Sequence, residues 1–233
     1  MRIAVLSDVH ADLESLLDVL AHVDREQCDL VVCTGDLIDH GPSPDATIAL
    51  LRERQVVCIR GNHDRWALEK AEEREEVDGH ALSSASRSFL ETLQTSWRAT
   101  IDGVRVAMHH ASPNSDMRPI VPDRASDADV RDWLATSEAD VLIVGHTHRA
   151  FALRADVCGL IVNPGALLRT ETMEKTGHVR LRPASPLEGG TFGILELPTG
   201  SFRVLNGRDA SEVFRSDMGR AGLATVMERS GGR

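Results

Sequence analysis

The chain has 233 residues, 42% of them hydrophobic, and 26 basic against 36 acidic side chains give a formal net charge of −10. This length supports one large domain or two small ones with a core that needs no disulfide, and no apolar run approaches the ~20 residues of a membrane span, so a soluble globular protein is expected. The acidic balance disfavours long nucleic acid and anionic lipid as partners, so an anionic substrate has to be drawn by a local positive centre.

Ile3 to Leu6 reads as a buried strand, and Leu13, Leu16, Leu17, Leu20 and Val23 then fall on one helical face. Leu30 to Cys33 is the next predicted strand, followed by a loop with Gly41, Pro42 and Pro44 and a helix through Ile48, Leu50 and Leu51; Val56 to Ile59 repeats the pattern. This βαβαβ order predicts a parallel sheet flanked by helices. The acidic stretch from Glu69 to Glu76 reads as a solvated helix face, with further helix around the polar segment Ser83 to Ser88. Val104 to Met108 and Val141 to Val144 are strands on either side of a helix carrying Val130, Trp133 and Leu134. Beyond residue 150, short strands are predicted at Phe151 to Arg154, Leu160 to Val162, His178 to Leu181, Phe192 to Leu197 and Phe202 to Leu205, antiparallel and completing a second sheet. A weak helix is expected from Ser211, fraying toward Arg233, so residues 1–210 are expected to form one domain followed by a 211–233 tail. Cys28, Cys33, Cys58 and Cys158 lack CxxC spacing, and the N-terminal residues lack a secretory pattern; reduced thiols and a cytoplasmic location are expected.

The chemistry-bearing residues follow the strands. Asp8-Val9-His10, Gly35-Asp36, Gly61-Asn62-His63-Asp64, His109-His110 and Gly145-His146-Thr147-His148 each stand just after a predicted strand. Strand C-termini are where the loops of an open α/β sheet converge on a ligand, so residues far apart in sequence are brought to one crevice. Six of the ten histidines fall in these five clusters, which argues against isolated structural imidazoles. Carboxylates, imidazoles and one carboxamide are the donors of a divalent metal site, better suited to Mn²⁺, Fe or Zn²⁺ than to Cu(I) or an iron–sulfur cluster.

The order DxH, GDxxD, GNHD, H, GHxH resembles the calcineurin-like metallophosphoesterase superfamily. SDVHADLESL, GDLIDHGPSPD, IRGNHD, HASP, GHTHR and NPGAL are similar, more narrowly, to its compact bacterial phosphodiesterases, over residues 3 to about 168. The resemblance implies an α/β fold, a four-layer αββα sandwich of two mixed sheets flanked by helices, around two divalent metal ions. Mn²⁺ is the first choice, with Fe, Zn²⁺, Ni²⁺ or Co²⁺ as alternatives. It further implies that Asp8, His10, Asp36 and His148 surround one ion and Asp36, Asn62, His110 and His146 the other, with Asp36 as the bridge. A water held between the ions would lose a proton near neutral pH and act as a metal-bound hydroxide. His63, outside the ligand set, would stabilise developing charge or protonate the leaving oxygen, with Asp64 orienting its ring; Asp64 also reads as a cap for the helix that follows.

Within the adjacent histidines, strand parity with Val104, Val106 and Met108 favours His110 for the site and turns His109 to the other face. His40 stands where the protein-phosphatase branch of the superfamily has an arginine, so a phosphate clamp is missing there unless Arg65 or Arg149 supplies it. Trp66 reads either as a core or rim residue or as a surface for a nucleobase. The implied function is hydrolysis of small phosphodiesters or nucleotide-type esters. Its rivals are a dinucleoside polyphosphate hydrolase, a protein-phosphatase-like monoesterase and a catalytically silent metal-binding module. No long nucleic acid and no membrane is expected as partner.

Overall fold

The computed structural model describes residues 1–69, 82–154, 159–168, 170–175, 178–183 and 190–216. Its elements are β1 (Arg2–Leu6), α1 (Leu13–Arg25), β2 (Leu30–Cys33), α2 (Pro44–Glu53), β3 (Val57–Cys58), α3 (Asn62–Glu69), α4 (Ser84–Thr92), β4 (Ser96–Ile101), β5 (Val104–His109), α5 (Asp127–Thr136), β6 (Val141–Ile143), β7 (Phe151–Arg154), β8 (Leu160–Asn163), β9 (Thr170–Lys175), β10 (His178–Pro183), β11 (Thr191–Glu196), β12 (Ser201–Asn206) and β13 (Glu212–Ser216).

One sheet has the order β13-β12-β11-β1-β2-β3 and the other β4-β5-β6-β8-β7, while β9 and β10 form a separate hairpin. β1, β2 and β3 are parallel, as are β5, β6 and β8; β4, β7 and the run from β11 to β13 are antiparallel to their neighbours. Both sheets are therefore mixed.

Side-chain parity explains the layers. Alternate residues of a strand point to opposite faces. Ala4 and Leu6 of β1 pack with Leu16, Leu20 and Val23 of α1 and Ile48 and Leu51 of α2. Ile3 and Val5 instead meet Val106 and Met108 of β5 and Ile143 of β6 across the intersheet core. Ala107 of β5 and Leu142 of β6 turn the other way, against Val130 and Leu134 of α5. Each central strand is buried on both faces, the reason its sequence is almost continuously apolar. The helix starts are fixed by side chains: Asp12 accepts from the Ser15 amide at 2.9 Å ahead of α1, and Ser126 with Asp129 forms a reciprocal capping box ahead of α5.

The structure corrects three expectations and adds two strands. Leu17 is 50% exposed, because it sits at the edge of the α1 stripe that Leu16, Leu20 and Val23 bury. The late strands do not complete one sheet. β7 and β8 extend the sheet of β5 and β6, whereas β11 to β13 extend the free edge of β1. The weak helix expected from Ser211 is instead strand at Glu212–Ser216, where pairing to β12 satisfies the backbone of a segment with little helical amphipathicity. β4 and β9 were not anticipated. β4, a polar edge strand with Arg98 and Thr100 exposed, carries little apolar signal. The acidic run beyond Glu69 and Cys158 lie outside the described residues; Cys28, Cys33 and Cys58 are free thiols.

Candidate metal centre

Parallel pairing places the ends of β1, β2 and β3 on one edge, and β5 and β6 do the same in the facing sheet. Backbone hydrogen bonds stitch the emerging loops together: Asp8 N donates to Gly35 O at 3.1 Å, His10 N to Asp36 O at 2.9 Å and Gly145 N to His110 O at 2.7 Å. Two glycines permit this closeness. A Cβ at Gly61 would fall 2.1 Å from Asp36 Oδ1, and one at Gly145 would fall 1.9 Å from Ser7 Oγ.

The loops bring two adjacent groups of donors together. Asp8, His10 and His148 form one, and Asp36, His110 and His146 the other, with the donor atoms in each within 4.8 Å of one another. In the first, His148 Nε2 lies 3.3 Å and His10 Nε2 4.0 Å from Asp8 Oδ1, and the two Nε2 atoms are 3.2 Å apart. In the second, His110 Nε2 lies 3.2 Å from Asp36 Oδ2, and one end of the Asn62 amide is 2.9 Å from His110 Nε2 and 3.0 Å from His146 Nδ1. Asp36 faces both groups, since the same Oδ2 is 3.8 Å from His10 Nε2.

These residues fit divalent ions on three counts. Asp8 and Asp36 are buried carboxylates side by side with imidazole nitrogens, an arrangement that favours added positive charge. His10 Nδ1 donates to Ile38 O at 3.2 Å and His110 Nδ1 to Thr34 O at 2.8 Å, which turns each Nε2 inward as the atom available to an ion; metal-binding imidazoles are oriented this way. Asp8 Oδ2 accepts from the His146 amide at 3.0 Å and from the Ser7 hydroxyl, and Asp36 Oδ1 from the His63 amide at 2.9 Å, so Asp8 Oδ1 and Asp36 Oδ2 are left beside the imidazole nitrogens of His148 and His110.

Titration follows the same logic. Burial raises the Asp8 pKa, but the His148 charge and hydrogen bond outweigh it and hold the carboxyl below the usual range. Asp36 is likewise lowered, burial being overcome by His110. Burial disfavours the charged forms of His10, pushed down to about 4, and of His146, also lowered. For His110 burial acts in the same direction, yet Asp36 beside it carries the imidazole up to about 9.

His63 stands beside these groups, not within either. Its Nδ1 lies 2.7 Å from Asp39 Oδ2, so the ring is held by Asp39 and not, as expected, by Asp64. The Asp64 carboxylate accepts instead from the amides of Gly61 and Leu37, both at 2.9 Å, and Ile38 at 3.3 Å, pinning the β2 loop to the start of α3. Burial, then the nearby Asp36 charge, push Asp64 up to about 7. For His63 burial is outweighed by the Asp39 hydrogen bond and by the Asp36 and Asp39 charges, so its pKa is raised.

His109 occupies the other face of β5, buried, with Nε2 lacking a hydrogen-bond partner and its pKa lowered by burial and then by the Arg98 charge. Arg65 is engaged by Asp116 at 2.7 Å and Glu69 at 3.0 Å, and Arg149 is exposed. Asp39 was overlooked as a functional residue although it ends the GDxxD spacing. Asn163 was overlooked although it opens NPGAL: its amide donates to Gly145 O at 2.7 Å and its oxygen accepts from Gly165 N at 2.8 Å, bracing the His146 loop.

The fold and site together define an α/β sandwich whose sheet-edge loops assemble groups able to hold divalent metal. The chain belongs to the calcineurin-like phosphoesterase superfamily, whose domain it matches over residues 1–183. It is 26% identical to the uncharacterised protein MJ0912 of Methanocaldococcus jannaschii over 184 residues, 72% of this chain and 71% of that one. It is 42% identical to serine/threonine-protein phosphatase 1 of Salmonella typhimurium over 67 residues, 28% of this chain and 31% of the phosphatase. Among solved structures, a metallophosphoesterase from Sphaerobacter thermophilus superposes with a TM-score of 0.58 at 22% identity, covering 93% of this chain and 87% of that chain, a likeness of fold. Among the described residues no helix is long and apolar enough to cross a membrane.

Proposed function

We propose that this protein is a two-metal phosphoesterase acting on small phosphodiesters or nucleotide-type phosphate esters. The observation that carries the reading is the convergence of Asp8, His10, His148, Asp36, Asn62, His110 and His146 from five loops, with the Asp39-backed His63 at their margin. Two divalent cations bound there, Mn²⁺ by our choice, would supply charge neutralisation at the phosphoryl oxygens and acidify a water.

The chain's own residues do the rest. Asp36 and Asp8 would hold the ions, and two dications with two carboxylates would leave a balance of +2, enough to draw a phosphate anion to a protein of net charge −10. His63, whose pKa the Asp39 hydrogen bond helps to raise, would deliver a proton from Nε2 to the leaving oxygen while Nδ1 keeps its bond to the carboxylate. Asp64, through its three amide bonds, fixes the position of that pair.

The diester preference rests on the anion contacts. A phosphomonoester dianion gains most from a fixed guanidinium beyond the metals, and here the position expected to carry one is His40 while Arg65 is bound by Asp116 and Glu69. A diester bears one negative charge and needs its leaving alkoxide protonated, the task given to His63. Steady-state kcat/KM with Mn²⁺ tests this: bis-p-nitrophenyl phosphate should outrun p-nitrophenyl phosphate and phosphoserine peptides. The reverse order would favour the monoesterase reading, and no turnover of either class would favour a metal-binding module. A cytoplasmic location accords with the free thiols.

A further inference from the structure

A third group of potential ligands shares His10 with the first of the two described. His10, His40 and His63 come from the loops after β1 and β2 and from the first turn of α3, and their ring centroids are 4.8 Å apart on all three sides of a triangle. One donor nitrogen from each lies within 4.8 Å of the others. Three imidazoles on one tetrahedral ion, with metal–nitrogen bonds of about 2.0–2.1 Å, place their ring centres roughly 5 Å apart, so the triangle has the size of a three-histidine ion seat.

The outer nitrogens of two rings are already committed. His63 Nδ1 bonds Asp39 Oδ2 at 2.7 Å and His10 Nδ1 bonds Ile38 O at 3.2 Å. Both partners are acceptors, so both Nδ1 atoms donate to them, and each Nε2, once any proton on it is displaced, can offer an ion a lone pair backed by a carboxylate or a carbonyl, as in zinc-binding histidines.

His40 is delivered by a strained turn. Asp39 and His40 are consecutive non-glycine residues in the left-handed region, at φ 78° and 65°. Such conformations persist only where the surroundings impose them. Here His40 N donates to Asp39 Oδ1 at 2.8 Å and Gly41 N to His10 O at 2.8 Å, and a Cβ on Gly41 would fall 2.3 Å from that same oxygen, so the turn is packed directly on the His10 backbone.

We infer that His10, His40 and His63 form an inhibitory Zn²⁺ seat that excludes the productive arrangement. An all-imidazole set suits Zn²⁺, whereas Mn²⁺ favours carboxylate oxygen, and Zn²⁺ stands above Mn²⁺ in general affinity. His10 Nε2 serves one ion at a time, so Zn²⁺ in the triad withdraws a ligand from the first ion of the two-metal centre. The same Zn²⁺ occupies His63 Nε2, the atom that carries the proton to the leaving group. This rests on the roles given to His10 and His63 under the proposed function.

The test uses the full chain and Co²⁺ as a spectroscopic probe. Four-coordinate Co²⁺ absorbs visible light far more strongly than six-coordinate Co²⁺, so metal-free protein titrated with Co²⁺ should develop an intense visible band. His40→Phe, which keeps a ring but no donor, should lose the band while still binding two ions per chain by dialysis and elemental analysis. His63→Ala should lose it too. In Mn²⁺-loaded protein the Zn²⁺ concentration for half-inhibition should rise by about tenfold or more in His40→Phe, in line with the loss of a metal contact. His40→Gln gives the same reading if the phenylalanine disturbs folding. A band and a Zn²⁺ sensitivity retained in both His40 variants would overturn the inference. Binding of fewer than two ions by the unaltered chain would instead count against the two-metal centre, with the triad band still readable.

Discussion

His63 Nδ1 and Asp39 Oδ2, 2.7 Å apart, join the turn that follows β2 to the first turn of α3. The contact holds Asp39 below the usual carboxylate range, through the hydrogen bond from His63, and helps to raise His63 against the effect of burial. Asp39→Asn should therefore lower kcat by about tenfold to a hundredfold, less than the 10²–10⁴ loss expected for His63→Ala, with two ions retained in both variants. The sign of the pH effect is set by the raised His63: the acid must be protonated to act, so removing Asp39 should move the basic limb of the pH–rate profile to lower pH. An unmoved limb would mean that His63 is not the group titrating there.

The adjacent histidines of β5 give a sharper contrast. His110→Ala removes a nitrogen 3.2 Å from Asp36 Oδ2, and should abolish turnover and weaken the second ion. His109→Ala removes a ring from the opposite face and should leave metal content unchanged, with any cost confined to the melting temperature. Equal loss of metal in both variants would contradict the placement of the two faces.

That distinction is legible in the sequence because strand parity is a local property. Ile3 and Val5 against Ala4 and Leu6, or Met108 and His110 against His109, need only period-2 reasoning. The donors after β1, β2, β3, β5 and β6 were readable for a related reason: parallel pairing brings every strand C-terminus to one edge. What depended on non-local choices was not. Whether β11 to β13 joined β1 or the facing sheet turned on which free edge the backbone could reach. The Asp39 to His63 pairing depended on consecutive left-handed residues that GDLIDH does not announce. Asp64 does not orient His63 because three backbone amides, invisible in a sequence, claim its carboxylate.

Gly61 tests how closely the loops must approach. An added Cβ would lie 2.1 Å from Asp36 Oδ1 and 2.4 Å from Asp36 N, a collision with the backbone as well as the carboxylate of Asp36. Gly61→Ala should fold with a lowered melting temperature and lose affinity for both ions together, because Asp36 faces both groups. Calorimetric titration with Mn²⁺ checks this, and unaltered affinity would show that the contact is not needed.

Metal binding should compete with protons. His110 is carried up to about 9 by Asp36 despite burial, so the metal-free chain keeps this imidazole charged at neutral pH, and an ion must displace the proton. Apparent affinity should rise with pH up to about 9 and level off above it, with proton release detectable as a dependence of binding heat on buffer ionisation enthalpy. For metal-free protein the sign is opposite. The stabilisation from charged His110 is fully present below 6.5 and is lost as pH rises through about 9. A binding heat independent of buffer would refute the coupling.

A two-ion centre bridged by Asp36 is tested by metal content set beside turnover in the unaltered chain and in Asp36→Asn. The predicted result is two Mn²⁺ ions per chain with hydrolysis of bis-p-nitrophenyl phosphate, and in Asp36→Asn weakened binding at both sites with turnover abolished. One firmly bound ion in fully active protein, or loss of a single ion in Asp36→Asn with the other held as tightly as before, would contradict it.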